Sequence, residues 1–278
     1  MPLGREPTAV SSGIEGNRMI HERRSQIILK SHILLDREHL HLSRLTEMSL
    51  RDGVLRILGV LIVGLAVSII ALRLTRTFPL ADESFLPSSF VTHTSMWVLS
   101  ILLVALFTKG RMGDYGFTGG SFRFTPKILL WMVPTGVMSV MGFIASRSGG
   151  EIQEVVELSK LQNIIFIWIY ASISEEIFTR GLLQSLLSPL MKYGVHPFNR
   201  VRLSVPVLFS GLYFGGMHIV LIDRLGPAVV VTIVLTTFLG IVAGYYRERT
   251  DSLIPAIIIH ALFNVGGMLP MWLLNWIF

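Results

Sequence analysis

Polar and apolar positions are mixed through residues 1–52, whereas from Val54 onward long apolar stretches follow one another with short polar interruptions. The stretches run from Val54 to Leu72, Phe90 to Thr108, Ile128 to Ser146, Leu161 to Leu187, Ser204 to Ile222, Gly226 to Tyr246, and from Leu253 onward. A helix needs about 17 to 25 mostly apolar residues to cross a hydrocarbon core. The pattern therefore predicts an all-α, polytopic transmembrane helix bundle of about seven to eight spans; an eighth would arise if the terminal "LPMWLLNWIF" formed a separate interfacial piece instead of extending the last helix.

Two segments are expected: a cytoplasmic N-terminal segment over residues 1–52 and a membrane-embedded domain over residues 53–278. Between Arg18 and Leu50, apolar residues such as Ile27, Leu34, Leu42 and Met48 alternate with basic residues and histidines. That spacing is compatible with an amphipathic helix on a membrane surface and equally with a solvated helical extension. The first apolar stretch starts too late and is too long for a cleaved signal sequence, so a permanent anchor is expected. Gly211 with Gly215 and Gly240 with Gly244 stand four apart inside apolar stretches, a spacing that lets helix backbones approach closely.

Composition sharpens this picture. Hydrophobic residues make up 51% of the chain, charged residues only 15%, and the mean hydropathy is +0.62, which excludes an ordinary water-soluble domain. The absence of cysteine excludes disulfides, thiolate metal sites and a cysteine nucleophile. A net charge of +6 raises nucleic acid as a partner, but the basic residues are distributed as membrane sorting requires, richer in alternate loops. By the positive-inside rule the N-terminus and the loops Lys109 to Lys127, Lys192 to Arg202 and Arg247 to Arg249 face the cytoplasm. The expectation is a multi-pass protein of the cell membrane whose partners are membrane lipids and a membrane-associated peptide or protein, with no nucleic acid.

Ionisable groups in mid-span cost about 2.5 to 3.5 kcal/mol each on insertion scales and mark a functional site or a paired bridge. Three stretches carry them: "SEEIFTR" holds Glu175, Glu176 and Arg180, "FGGMH" holds His218, and "HALFN" holds His260 and Asn264. On a helix, residues four apart share a face while neighbours point about 100° apart. Glu176 is thus placed to pair with Arg180, leaving Glu175 free; His260 and Asn264 form one polar ridge, and Phe214 sits one turn before His218. The remaining histidines at positions 21, 32, 39, 41, 93 and 196 read as surface or interfacial.

This set suits hydrolysis. A desolvated glutamate is a competent general base for water, a neighbouring histidine can share that water and protonate the leaving amine, and Asn264 with His260 can donate to a tetrahedral oxyanion. With simple helix boundaries His218 and His260 lie at different depths, so convergence requires shifted boundaries or a helix tilted or broken at a water-filled cavity.

The pieces "EEIFTR", "FGGMH" and "HALFN" resemble, in order, the three motifs of the CPBP (Abi) intramembrane endopeptidases, which include the CAAX prenyl proteases and bacteriocin-processing or self-immunity proteins. The resemblance covers roughly Gly110 to Gly267. It implies a membrane hydrolase acting on peptide bonds in which Glu175 activates water with His218, Glu176 and Arg180 form the supporting pair, and His260 with Asn264 stabilises the oxyanion. No cofactor is expected. Competing readings are a zinc-dependent protease of the same fold, with the histidines and a glutamate as ligands, a proton-coupled transporter using Glu175, His218 and His260 as a relay, and a non-catalytic immunity or partner protein.

Overall fold

The computed structural model describes residues 49–80, 85–120, 125–147, 158–198 and 201–277. By its internal contacts the chain divides into Met1–Val54 and Leu55–Phe278. The amphipathic N-terminal pattern falls almost wholly outside the described residues.

Seven long helical elements are found among the described residues, in the order of the seven apolar stretches, besides short 3-10 turns such as Met112–Tyr115 and Ser188–Leu190. Helix α1 is Leu50–Thr77 and α2 is Ser89–Thr108. Helix α3 opens as a 3-10 segment, Pro126–Met132, and continues as Val133–Arg147. Helix α4 is a continuous run of Lys160–Gln162, π-helical Asn163–Ala171, α-helical Ser172–Glu176 and π-helical Ile177–Gln184. Helix α5 runs Val205–Gly216, tightens to a 3-10 turn over Met217–Leu221 and ends with Ile222–Leu225. Helices α6, Val229–Thr250, and α7, Ile254–Ile277, complete the bundle.

Four helices, α1, α2, α6 and α7, are long and apolar enough to cross a membrane, while Pro126–Met141 and Val205–Leu221 are shorter apolar helices. The expected seven to eight spans are therefore not reached as regular long helices. The physical reason is local: α3 and α5 contain 3-10 turns and α4 is broken by two π segments, which shorten their regular runs. The "LPMWLLNWIF" segment makes no eighth helix, since α7 passes through it to Ile277 with Pro270 inside. The basic stretch between α4 and α5 is a hairpin, with β1 (Gly194–Phe198) antiparallel to β2 (Val201–Ser204).

Helix ends follow local chemistry. Ser159 and Gln162 form a reciprocal capping box that starts α4, and Ser204 accepts the Val207 N–H with Pro206 in the first turn of α5. Along α1 the buried residues Val60, Gly64, Val67 and Ala71 make one stripe, while Leu58, Ile62, Leu65 and Ile69 are exposed. Apolar residues on the outside as well as the inside are what a lipid-facing helix requires. Between α5 and α6 the small-residue spacing does what it predicts: a Cβ on Gly240 would lie 2.7 Å from Gly211 Cα and 3.0 Å from an Arg180 nitrogen.

The loops sort to two ends. At one end Leu253 N donates to Gly116 O at 3.0 Å, Ser252 Oγ to Thr118 O at 2.7 Å, and Ser204 of the hairpin to Glu248 of α6. The α2–α3, α4–α5 and α6–α7 connections thus lie together. At the opposite end Gln162 Nε2 donates to Phe85 O at 3.0 Å, joining the start of α4 to the segment before α2.

Candidate active site

The polar residues of α2, α4, α5 and α7 converge in the bundle interior. Glu175 and Glu176 occupy the short α-helical piece of α4 between its two π segments, and both are buried. π-helical insertions are rare and cluster at functional sites. The two carboxylates diverge as helical geometry requires, Glu175 toward α2 and Glu176 toward Arg180 and α7.

Glu176 and Arg180 form the expected i,i+4 pair, Nη1 to Oε1 at 3.0 Å, with both side chains fully buried. The same Oε1 accepts from His260 Nδ1 at 2.9 Å. Arg180 also contacts Thr179 Oγ1 through Nη1 and lies over the Phe214 ring at 4.6 Å. Its Nε and Nη2, with Glu176 Oε2, have no hydrogen-bond partner among the described residues, so the cation–π contact is its other main stabilisation.

Phe214 is the hub of the site. The His218 ring meets it edge-on at 5.1 Å and the His260 ring at 5.3 Å. His218 and His260 therefore do converge despite their different helical depths, helped by the 3-10 turn that carries His218. His218 Nδ1 donates to Phe214 O at 2.8 Å, which leaves Nε2 as the free ring nitrogen.

His93 is the residue that the sequence reading misplaced. Read as interfacial, it is instead largely buried, and its Nε2 lies 3.0 Å from Glu175 Oε1. Its placement has a clear cause. Thr94 Oγ1 and Trp97 Nε1 both bond the Tyr170 hydroxyl, at 2.6 and 2.9 Å, and Phe90 stacks on the Tyr170 ring, so α2 is clamped to α4 in the register that brings His93 to Glu175. The available signal was a titratable residue in an otherwise apolar stretch. His196 lies on the exposed strand β1, as expected.

The other oxygen of Glu175, Oε2, is 3.7 Å from His260 Nε2. With Nδ1–H of His260 committed to Glu176, a neutral imidazole would turn a lone pair toward the carboxylate. That separation is longer than a hydrogen bond. Glu176 and Arg180 cancel, which leaves Glu175 as the carboxylate of this site with no cationic lysine or arginine paired to it.

Asn264 reaches the same region but in a different posture from the one expected. Its Nδ2 donates to Ile167 O at 3.0 Å and to Ser172 Oγ at 3.2 Å, so both amide hydrogens are occupied in the resting site. Donation to an oxyanion would require exchange of one of these bonds.

Glu175, His93, His218, His260 and Asn264 all line one cavity of about 1080 Å³, whose other walls are mostly aliphatic. Among the described residues no group of three or more histidine, aspartate or glutamate side chains is arranged to hold a metal ion. The zinc reading takes His218, His260 and a glutamate as ligands, and those side chains form no such group.

Residues 157–266 match the family described as Rce1-like, Type II CAAX prenyl endopeptidase Rce1-like. That is the CPBP/CAAX protease family which the three motifs resemble, and the matched segment contains all of them. No curated protein and no solved structure matches the chain.

Proposed function

We propose that this multi-pass membrane protein is an intramembrane endopeptidase that hydrolyses a peptide bond of a membrane-associated substrate with a water activated by Glu175. The observation that carries the reading is the environment of that carboxylate. It is buried, held by His93 at 3.0 Å and 3.7 Å from His260, at the inner wall of a cavity large enough for an extended peptide segment. A carboxylate placed there is costly unless it is used.

In the proposed reaction, water lies between Glu175 and the imidazole nitrogens that face the cavity. Glu175 accepts a proton as the water oxygen adds to the carbonyl carbon. His218, whose tautomer is fixed by Phe214 O, presents Nε2 to the reacting groups, and a protonated His260 donates through Nε2 to the oxyanion. Asn264 joins as a second donor by leaving Ser172. The C–N bond then breaks, and the proton first taken from water passes to the leaving amine. Phe214, Glu176 and Arg180 hold the two histidines without touching the reacting atoms.

The same reading places the N-terminus in the cytoplasm and the chain in the cell membrane, on the distribution of lysine and arginine. It assigns no metal to the reaction, because the one carboxylate not neutralised by Arg180 suits a general base better than a dication site. The test is purified protein in liposomes incubated with a library of membrane peptides. Cleavage by the wild type and its loss in Glu175→Gln at unchanged abundance are expected. Near-normal turnover by Glu175→Gln would remove Glu175 from the mechanism.

A further inference from the structure

The hairpin between α4 and α5 has two unlike faces, and a break in its register makes them so. Val195 pairs with Leu203 and Phe198 with Val201, so two residues separate the pairs on β1 but only one separates them on β2. That is the count of a β-bulge, in which His196 and Pro197 together oppose Arg202. Residues directly opposite across a strand pair share a face, as do alternate residues of β2. Val195, Phe198, Val201 and Leu203 therefore stand on one side, although regular alternation would set Val195 and Phe198 on opposite sides. Arg202 belongs to the other side, and its guanidinium donates to Met191 O just before the hairpin.

The apolar side has no core behind it. Phe198 is 72% and Val195 53% exposed, and Val201 and Leu203 are half-buried. A lone two-stranded hairpin is marginal in water, so this face needs a cover, and the hairpin's position supplies one. Ser204 at the end of β2 caps α5 and bonds Glu248, which lies with Arg247 and Arg249 in the charged last turns of α6. The hairpin thus leaves the bundle where its helices pass from apolar to charged sequence, the depth of a headgroup layer. Its charge fits that depth. Residues 188–204 contain Lys192, Arg200 and Arg202 and no acidic residue, and exposed Lys192 lies over the ring of exposed Tyr193 at 5.2 Å. Lysine and tyrosine both combine an apolar body with a polar tip and suit a membrane–water interface.

The geometry points to the β1–β2 hairpin as a lipid-docking surface: Val195, Phe198, Val201 and Leu203 rest in the acyl boundary, and the segment's excess positive charge, led by Lys192, meets anionic headgroups. It is the amphipathic arrangement of an interfacial helix carried instead by a bulged hairpin. Without the bulge, either Val195 or Phe198 would face water whichever way the hairpin lay. Because the hairpin joins α4, with Glu175, Glu176 and Arg180, to α5, with His218, its seat in the lipid also holds the joined ends of those helices at a common depth. The inference is independent of the protease reading and is tested without cleavage.

The chain has no cysteine of its own, so Val195→Cys, Phe198→Cys and His196→Cys each carry a nitroxide probe at one exposed position. Each variant is reconstituted in vesicles of phosphatidylcholine with an equal amount of phosphatidylglycerol, and in phosphatidylcholine alone. Collision of the probe with oxygen, which concentrates among acyl chains, is compared with collision with a water-soluble nickel chelate. In the mixed vesicles the oxygen preference of Val195→Cys and Phe198→Cys should exceed that of His196→Cys several-fold, and it should weaken in phosphatidylcholine alone. Free collision with nickel at all three positions would place the hairpin in water and overturn the inference. An oxygen preference at only one of positions 195 and 198 would remove their shared face and overturn it too. Low collision with both reagents at these positions would show that protein, such as a second copy of the chain, covers the face instead of lipid. An equal preference in the two kinds of vesicle would refute the role of anionic headgroups.

Discussion

Removing Glu176 should unfold the protein before it disables it chemically. The side chain is fully buried and accepts from both Arg180 and His260. Its truncation in Glu176→Ala strands a guanidinium that already has two nitrogens without partners. Breaking a buried ion pair at one partner costs about 3 to 5 kcal/mol, which at about 1.4 kcal/mol per tenfold is two to three and a half powers of ten in the folding equilibrium. The Arg180–Phe214 contact is present in both wild type and variant, so it does not enter the difference. The double variant Glu176→Gln with Arg180→Met removes both charges at similar volume and should return stability to within about 1 kcal/mol of wild type. Its turnover should stay low, because His260 Nδ1 then donates to an amide oxygen, a bond about half as strong as one to a carboxylate. Thermal unfolding in detergent micelles, followed by tryptophan fluorescence, measures the first effect, and peptide cleavage at matched folded protein measures the second. If Glu176→Ala unfolded at the wild-type temperature, the pair would be structurally idle and its placement of His260 unsupported.

Glu175→Gln should lower cleavage by at least about a hundredfold, the low end of what a general base contributes, with folded yield unchanged. His93→Ala should reduce kcat by about 10- to 100-fold, by analogy with other groups that orient a reacting side chain, and shift its pH profile at nearly constant KM. His93→Gln should recover part of this loss, and an unchanged pH–rate profile in His93→Ala would show that the contact is only packing. Gly240→Leu should cost about 1 to 3 kcal/mol by overpacking, since even a Cβ there meets Gly211 at 2.7 Å, and a wild-type unfolding temperature would contradict the close α5–α6 approach. A strong chelator should leave cleavage intact, whereas stoichiometric zinc, with activity lost to the chelator and restored by the metal, would replace the proposed mechanism with a zinc-dependent one.

The order and number of helical elements were legible because each apolar stretch is long and ends at a polar or glycine-rich break. Their internal irregularity was not. Nothing in "NIIFIWIYA" announces a π segment by composition, because hydropathy reports burial in lipid and is indifferent to whether the ladder closes at i+4 or i+5. The hairpin over residues 194–204 escaped for the opposite reason: its apolar positions are few, and its arginine residues read as a cytoplasmic loop, which is compatible with either conformation. The terminal "LPMWLLNWIF" left both an extended last helix and a separate piece open, and α7 continues through it past Pro270. In a bundle that keeps water away, breaking a helix costs more than accommodating one missing N–H.

The site divides along the same line. Glu176 with Arg180 was readable because both partners belong to one helix, where spacing fixes the distance. Likewise, Phe214 followed from its position one turn before His218. His93 lies 82 residues from Glu175, and only the Thr94 and Trp97 bonds to Tyr170 decide that α2 presents it to α4 rather than to lipid. Asn264 shows the converse limit: its helix and ridge were foreseeable, but the Ile167 carbonyl that occupies its amide lies on α4, 97 residues away in sequence. Spacing within one helix separates the two adjacent glutamates, but only the packing of α7 on α4 decides which acceptors hold Asn264 beside them.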